Sequence, residues 1–551
     1  MHRSSRWSRW LPAVVCSLLA AWLVAAPTAS AGHRNGTPPD LAWKDCGIAP
    51  FVQPADVQCA SQTVPLDYDR PGGKTIDIAM ARVPAKNQAH RIGTLFFNLG
   101  GPGATQVDYL QATAGQGLFD ALNERYDIVG FDPRGVGQST PSIDCKVNQE
   151  TQGPSSQPFP TPLTVDLARL LAKDQRYLRR CATLNGDILS HVSTADVARD
   201  MDVMRASVGD AKLSYLGFSY GTFLGSTYAA LFPNRFRALV LDGPLDADEY
   251  LSDPLKGSNE QTAAFERELS RFFRACAANQ AACAGFGGDD PEDAYDALVY
   301  QANATPIPAA GYTPDPRAID GDDLNAVSLI AMYAKQNWPV LAQVLAAAQA
   351  GDGTFVRALV DEAFYGRDPD TGTFDPGTDR FVAIYGAEAH WPTDVGTYVR
   401  EGEQAWGAFN HFYSNHGYTE LNFGLWPATA QDTYEGPFHV KPSAPTPLVV
   451  ATTYDPATPY RGALKLVHEL GNARLLTMRG DGHTAYGGNS PCIDAAVNAY
   501  LLDGTLPAPG TSCRQEVPFA PPQPLAKSLT TGRQALPAVS SWVLHRKPLV
   551  R

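Results

Sequence analysis

Apolar residues along this chain fall into short runs and helical stripes that alternate over much of its length. Residues 94–98 form a buried-strand pattern that runs into the turn Gly100-Gly-Pro-Gly103. Residues 126–131 form a second, ending at Asp132-Pro-Arg-Gly-Val-Gly137. Over 195–208 the apolar positions Val197, Met201, Met204 and Val208 recur at helical spacing. A strand is predicted at 213–217, then a sharp turn, a helix over about 222–232 and a strand at 238–241. This alternation implies an α/β fold with a mostly parallel sheet covered by helices on both faces. From about 246 to 430 the rhythm changes. Helical patterns dominate (261–277, 291–301, 322–350, 355–365, 398–414), joined by Gly-, Pro- and Asp-rich connections, which predicts an inserted, mainly helical cap. Strand character returns at 447–452 and 473–476. From 503 onward the chain is rich in proline, with four prolines in 518–524, and is expected to be irregular or to wrap the surface. The expected division is a leader at 1–31, core at 32–245, cap at 246–430, core again at 431–515, and a tail at 516–551.

The leader is read from its pattern. Arg3, Arg6 and Arg9 precede a mostly apolar run over 11–26, and Ala29 and Ala31 stand at the −3 and −1 positions of a cut after Ala31. That is the layout of a secretory signal peptide. The run is shorter than the roughly 20 residues a membrane span needs. An exported, extracellular protein without stable membrane insertion is expected. The net charge is −13, and loss of three arginines with no acid leaves about −16. Such a chain offers no basic surface to nucleic acid or to anionic membrane. The cut also removes Cys16 and leaves eight cysteines, an even number suited to an oxidising compartment. Eight cysteines allow 105 pairings. Proximity in sequence suggests Cys46–Cys59, Cys145–Cys181, Cys276–Cys283 and Cys492–Cys513. No C-x-x-C pair points to zinc, and neither metal nor organic cofactor is expected.

Candidate chemistry centres on Gly217-Phe-Ser219-Tyr-Gly221, a G-x-S-x-G pattern with a strand before it and a helix after it. A nucleophilic serine needs a base, and the base needs an orienting acid. His483, in Arg479-Gly-Asp-Gly-His-Thr484, and Asp455, in Thr453-Tyr-Asp-Pro-Ala-Thr-Pro459, both follow predicted strands. The order Ser219, Asp455, His483 is that of an α/β-hydrolase triad. Asp242, after the strand at 238–241, is the rival orienting acid. The oxyanion hole is expected from the backbone N–H of Tyr220 and of Gly101, with Gly100 as the second choice, since Pro102 has no N–H to donate. The loop 132–137 is expected to fix loop geometry beneath the site rather than to perform chemistry.

The segments Asn98-Leu-Gly-Gly-Pro-Gly, Gly130-Phe-Asp-Pro-Arg-Gly-Val-Gly, Gly217-Phe-Ser-Tyr-Gly-Thr, Leu241-Asp-Gly-Pro-Leu-Asp and Tyr454-Asp-Pro-Ala-Thr-Pro, with Gly482-His, resemble the secreted tripeptidyl aminopeptidases of Streptomyces-type bacteria. These are α/β-hydrolases related to prolyl iminopeptidases. The resemblance covers nearly the whole chain after the leader. It implies Ser219 as nucleophile, Asp455 as acid, His483 as base, a helical cap, and release of short peptides, typically tripeptides, from free N-termini. Relatives often carry one cysteine in each of the regions matching 384–390 and 423–427. Here both are absent, as expected for a disulfide lost as a pair. Holding a substrate ammonium calls for cap carboxylates, for which Asp246, Glu260, Glu266, Glu268 and Glu388 are available. The expected partners are peptides with a free N-terminus, and the expected state is a monomer. A carboxylic-ester hydrolase with the same triad, a prolyl-type aminopeptidase and a non-catalytic binding protein are the alternatives.

Overall fold

The computed structural model describes residues 41–46, 57–113 and 117–521. The leader at 1–31 and the tail beyond 521 lie outside the described residues.

Ten strands form one sheet. In chain order they are β1 (Lys44–Asp45), β2 (Gln58–Pro65), β3 (Thr75–Val83), β4 (Gly93–Asn98), β5 (Tyr126–Phe131), β6 (Leu213–Phe218), β7 (Phe236–Asp242), β8 (Leu448–Tyr454), β9 (Arg474–Asp481) and β10 (Ser512–Arg514). Their spatial order is β1-β2-β3-β5-β4-β6-β7-β8-β9-β10. From β5 to β10 every neighbouring pair is parallel, whereas β1, β2 and β3 add an antiparallel edge. Burial follows the pairing. Every residue of β4, β5 and β6 is buried, because helices cover both faces there. In β2 and β3 burial largely alternates, as in a sheet edge with one wet face.

Successive side chains supply the two faces in turn. Leu95, Phe97, Leu216, Phe218 and Val240 pack with Val107 and Leu110 of helix Gln106–Thr113 and with Ile493, Val497 and Leu501 of helix Pro491–Asp503. Phe96, Tyr215, Leu239 and Leu241 face the other way, onto Met201 and Met204 of helix Thr194–Ser207, Leu224 and Tyr228 of helix Tyr220–Leu231, and Leu466 of helix Tyr460–Leu470. The mostly parallel, doubly covered sheet expected from the sequence is therefore present.

Between β7 and β8 the chain adds no strand to the sheet. Its helices fall into two packing groups. Helices Pro254–Ala278, Pro291–Ala304, Gly321–Ala331 and Trp338–Gln349 share a separate apolar core containing Phe272, Tyr295, Leu324 and Trp338. Helices Gly377–Glu388 and Val395–Ala408 instead join the core of the sheet through Val382, Ile384 and Tyr398. At Gly386 a Cβ would lie 2.9 Å from the Trp426 ring, so the helix Gly377–Glu388 packs closely against the segment at 423–427.

Some boundaries differ from expectation. The stripe at 322–350 is two helices. The chain leaves the first after Ala331 and starts the second at Trp338-Pro339, because proline is accommodated in a helix's first turn but not inside it. Helix Val395–Ala408 ends before the expected 414. Beyond 503, Ser512–Arg514 pairs with β9, and Phe519 rests edge-on against Trp338 at 6.2 Å. All four expected disulfides are formed: Cys46–Cys59, Cys145–Cys181, Cys276–Cys283 and Cys492–Cys513. Among the described residues no helix is long and apolar enough to cross a membrane.

Candidate active site

Ser219 stands between the end of β6 and the start of helix Tyr220–Leu231, with φ 54° and ψ −126°. A serine with positive φ is strained, and the turn survives because its neighbours are small. A Cβ on Gly217 would sit 2.3 Å from the Gly221 carbonyl oxygen, and one on Gly221 would sit 2.8 Å from that of Asn98. The Ser219 N–H donates to the Asp242 carbonyl at 2.9 Å, and the Thr222 N–H and hydroxyl both donate to the Ser219 carbonyl. The side chain thus projects from a fixed elbow at the C-terminal end of the parallel strands, where open α/β sheets build their sites.

His483 lies two residues beyond β9 and is 8% exposed. Its Nδ1 is 2.9 and 3.0 Å from the two Asp455 carboxylate oxygens. Asp455 is buried just past β8 and also accepts from the N–H groups of Ala457 (3.0 Å), Thr458 (2.8 Å) and Thr484 (3.2 Å). The Thr458 hydroxyl is 3.3 Å from the same Nδ1.

Asp242 does not touch the imidazole by hydrogen bond, which corrects its standing as rival orienting acid. Its carboxylate accepts from the N–H groups of Ala485 (3.0 Å) and Tyr486 (2.8 Å), in the strand-end loop that carries His483. Its carbonyl holds Ser219. Asp242 therefore ties the serine elbow to the histidine loop. Full burial pushes its carboxyl up to about 7, with the two backbone donors pulling the other way. The loop at 132–137 has a comparable structural task. Asp132 accepts from the first N–H groups of helix Gln106–Thr113, and buried Arg134 binds both oxygens of Asp200 at 2.8 and 2.7 Å.

The glycine turn after β4 lies against the elbow. A Cβ on Gly100 would come within 2.8 Å of Ser219 Cβ and 3.1 Å of Tyr220 N. The Gly100 N–H is committed to the Asn98 side chain at 2.9 Å. Gly101 lines the adjoining cavity.

The cavity has a volume of about 310 Å³. Gly101, Ala457 and Thr458 form the wall nearest the site, and Tyr250, Phe381, Tyr385, Trp391 and Phe423 form an aromatic wall. Of the five acids raised from the sequence, only Asp246 and Glu260 line it, and each has a cation: Lys465 at 2.8 Å for Asp246, Arg461 for Glu260. Glu266 accepts from His411, Glu268 from the Gly482 N–H, and Glu388 from the Thr194 N–H and hydroxyl. The lining acids that the sequence reading missed are Glu249, which pairs with Lys256 and Arg461, and Glu420. One Glu420 oxygen takes the Gly417 N–H at 2.9 Å and His416 at 3.0 Å. Beside it in the lining, Asn422 has a buried carbonyl oxygen with no donor among the described residues. Nothing in Tyr418-Thr-Glu-Leu-Asn422 distinguishes these positions from any polar turn.

Two of the three all-carboxylate clusters close enough to bind an ion, among the described residues, are filled by the chain's own cations. Glu150 and Asp361 pair with Arg357 and Asp315 with Arg317 and Arg367, while Asp246, Asp248 and Glu469 surround Lys465.

A serine on a strand-to-helix elbow, with a carboxylate-bound histidine on a later strand end of a parallel sheet, defines the α/β-hydrolase class. The family described as alpha/beta hydrolase fold matches residues 94–283, and the family described as TAP-like protein matches 412–513. The serine protease Hip1 of Mycobacterium tuberculosis is 33% identical over 489 residues, covering 86% of this chain and 91% of that protein. The tripeptidyl aminopeptidase of Streptomyces lividans is 32% identical over 545 residues, covering 93% and 97%. A carboxylesterase B of M. tuberculosis is 34% identical over 494 residues, covering 88% and 92%. The chain belongs to the TAP-like family of α/β-hydrolases. It is a serine hydrolase of the tripeptidyl aminopeptidase-like kind.

Proposed function

We propose that this protein is an exported serine exopeptidase that releases short peptides, tripeptides foremost, from free N-termini. Ser219 is the nucleophile, His483 the base and Asp455 the acid that orients it. The observation that carries this reading is the His483–Asp455 pair at 2.9 Å on the same sheet edge as the positive-φ Ser219 elbow. In the cycle, His483 takes the Ser219 proton as Oγ attacks the scissile carbonyl. The N–H groups of Tyr220 and Gly101 hold the oxyanion. His483 then protonates the leaving amine, and water, deprotonated by the same histidine, attacks the ester on Ser219 and releases the N-terminal peptide with a free carboxylate, returning the proton to Oγ. The helices at 246–430 act as a cap over the core at 32–245 and 431–515. Export rests on the leader pattern at 1–31, and the four disulfides agree with an oxidising destination.

Exopeptidase action requires a fixed point for the substrate ammonium. Glu420 is the lining carboxylate best suited to it, because among the described residues it pairs with His416 alone and with no lysine or arginine, and it stands beside the unpartnered Asn422 carbonyl. Asp246 and Glu260 are already neutralised by lysine and arginine. Two relatives carry peptidase names and one an esterase name, so ester hydrolysis is the second reading.

Ser219→Ala is expected to lower turnover of a tripeptide p-nitroanilide by several orders of magnitude with the melting temperature unchanged. Activity near wild type would sink the triad. N-acetylating the same substrate is expected to abolish cleavage. Equal cleavage of the blocked peptide would overturn the exopeptidase reading, and hydrolysis of a short acyl ester without cleavage of the free-amine peptide would replace it with that of an esterase.

A further inference from the structure

The loop that carries His483 is gripped from two sides. On the sheet side, Asp455 binds the Thr484 N–H, and Asp242 binds those of Ala485 and Tyr486. On the other side the grip comes from the helices inserted between β7 and β8. Glu268, on helix Pro254–Ala278, accepts the Gly482 N–H at 2.9 Å. The Tyr333 carbonyl accepts the N–H of His483 itself at 2.7 Å. One turn along from Glu268, Arg271 donates to Asp481 at 2.6 Å, and Lys335 pairs with the other Asp481 oxygen. Every amide from Gly482 to Tyr486 is thus held, the first two by the insertion and the last three by buried carboxylates at the strand ends.

Three details indicate that this contact is built in. Glu268 is fully buried, on a helix whose opposite face meets solvent. A carboxylate sealed there is costly unless a specific contact requires it. The Tyr333 carbonyl is available because the helix that precedes it ends at Ala331. A continuous helix over 322–350 would have spent that oxygen on its own ladder. The Arg271 guanidinium also lies flat over the Tyr454 ring, 3.6 Å from its centroid, so the same side chain braces the residue next to Asp455.

We propose that the inserted helices position the catalytic histidine, with Glu268 as the principal positioning residue and Arg271 as its support. This rests on the assignment of His483 as base. The insertion is then more than a cover over the substrate. It fixes half of the loop on which the imidazole rides, and a displacement of about 1 Å at a reacting group costs on the order of 100-fold in rate. Burial and the neighbouring Asp481 push the Glu268 carboxyl well above the ordinary carboxylate range, so a neutral amide is its close substitute.

The test compares Glu268→Ala, Glu268→Gln and Arg271→Gln with His483→Ala. It reads kcat and KM on a tripeptide p-nitroanilide, the rate of Ser219 labelling by a serine-directed phosphonate, and the melting temperature. Glu268→Ala is expected to lose about 10- to 100-fold in kcat with KM within threefold, and the labelling rate should fall in step. Glu268→Gln, which keeps an acceptor for Gly482, is expected to recover to within about threefold of wild type. Arg271→Gln, at a partly exposed position that tolerates change, is expected to lower kcat about 3- to 10-fold at constant KM. A folded Glu268→Ala with wild-type kcat, a defect confined to KM, or a glutamine variant as poor as alanine would each overturn the proposal. If the alanine variant does not fold, wild-type kcat in Arg271→Gln overturns it alone. An active His483→Ala would instead remove the underlying triad.

Discussion

Asp455 and Asp242 are both fully buried, both follow strands, and both serve the histidine loop, so replacing each by asparagine separates orientation from scaffolding. At 455, the N–H groups of Ala457 and Thr458 both address Oδ1 and keep the asparagine carbonyl there. The new NH2 then occupies the Oδ2 position, 3.0 Å from His483 Nδ1 and 3.2 Å from the Thr484 N–H. Nδ1 then has the amide carbonyl at 2.9 Å and the NH2 at 3.0 Å, and the clash of that NH2 with an Nδ1–H favours the tautomer with the ring proton on Nε2, which removes the acceptor that the serine needs. A wrong tautomer costs about 10⁴ in kcat, or ~5 kcal/mol at about 1.4 kcal/mol per decade. The stranded Thr484 N–H adds a stability loss of about 1–3 kcal/mol. At 242 a single carbonyl in the Oδ2 position still serves Ala485 at 3.0 Å and Tyr486 at 2.8 Å. With its carboxyl already pushed up to about 7, Asp242 is closely imitated by the neutral amide. Asp242→Asn is therefore expected to keep kcat within about tenfold of wild type. The assay is steady-state cleavage of a tripeptide p-nitroanilide near pH 7.5, with thermal melts as a folding check. An Asp455→Asn enzyme within tenfold of wild type, or an Asp242→Asn enzyme as crippled as it, would refute the division of labour.

Further outcomes follow from other contacts. Burial pushes the Glu388 carboxyl up to about 7, against the pull of the Thr194 hydrogen bonds. Its stabilising contribution is therefore complete below about pH 4.5 and lost as pH rises through 7. Denaturant melts of Glu388→Gln against wild type should show the variant gaining about 3 kcal/mol in relative stability between pH 4.5 and 8, and a constant difference would contradict this. Removing Cys145–Cys181, which closes a loop with sequence separation 36, should lower the unfolding free energy by about 3–4 kcal/mol on the loop-entropy estimate. Arg134→Ala strands the buried carboxylate of Asp200 and should cost about 3–5 kcal/mol in a denaturant melt. Glu420→Gln should raise KM for free-amine tripeptides at least tenfold while leaving KM for an acyl ester unchanged.

The sheet strands that flank Ser219 were legible because they are buried on both faces and read as mostly apolar runs, as in 126–131 and 213–217, each broken by a single polar residue, Asp127 and Ser214. The β2–β3 hairpin was not picked out, since its alternation is diluted by polar residues on a wet edge and its partners lie far off in sequence. The elbow was legible as a pentapeptide in context, and the disulfides as nearest neighbours along the chain. Functions that depend on which distant backbone a carboxylate reaches left no local trace. Asp242, Glu268 and Glu420 are three ordinary acids until folding sets one against the amides at 485–486, one against the Gly482 amide and one in the cavity wall. The break at 332–337 was masked by apolar spacing that continues across it.

The widest gap in the sheet's sequence order lies between β7 and β8. These strands meet over three register pairs, Val240↔Leu448, Leu241↔Val449 and Asp242↔Val450, although about two hundred residues separate them. No disulfide spans that seam, since the four bridges have sequence separations of 13, 36, 7 and 21. Ser219 belongs to one side, and Asp455 and His483 to the other. Oxidation of the cysteines can therefore run to completion in locally folded pieces that hold no complete hydrolytic apparatus. With Ser219, Asp455 and His483 acting together as proposed, a chain that lacks its last hundred residues would lack two of the three.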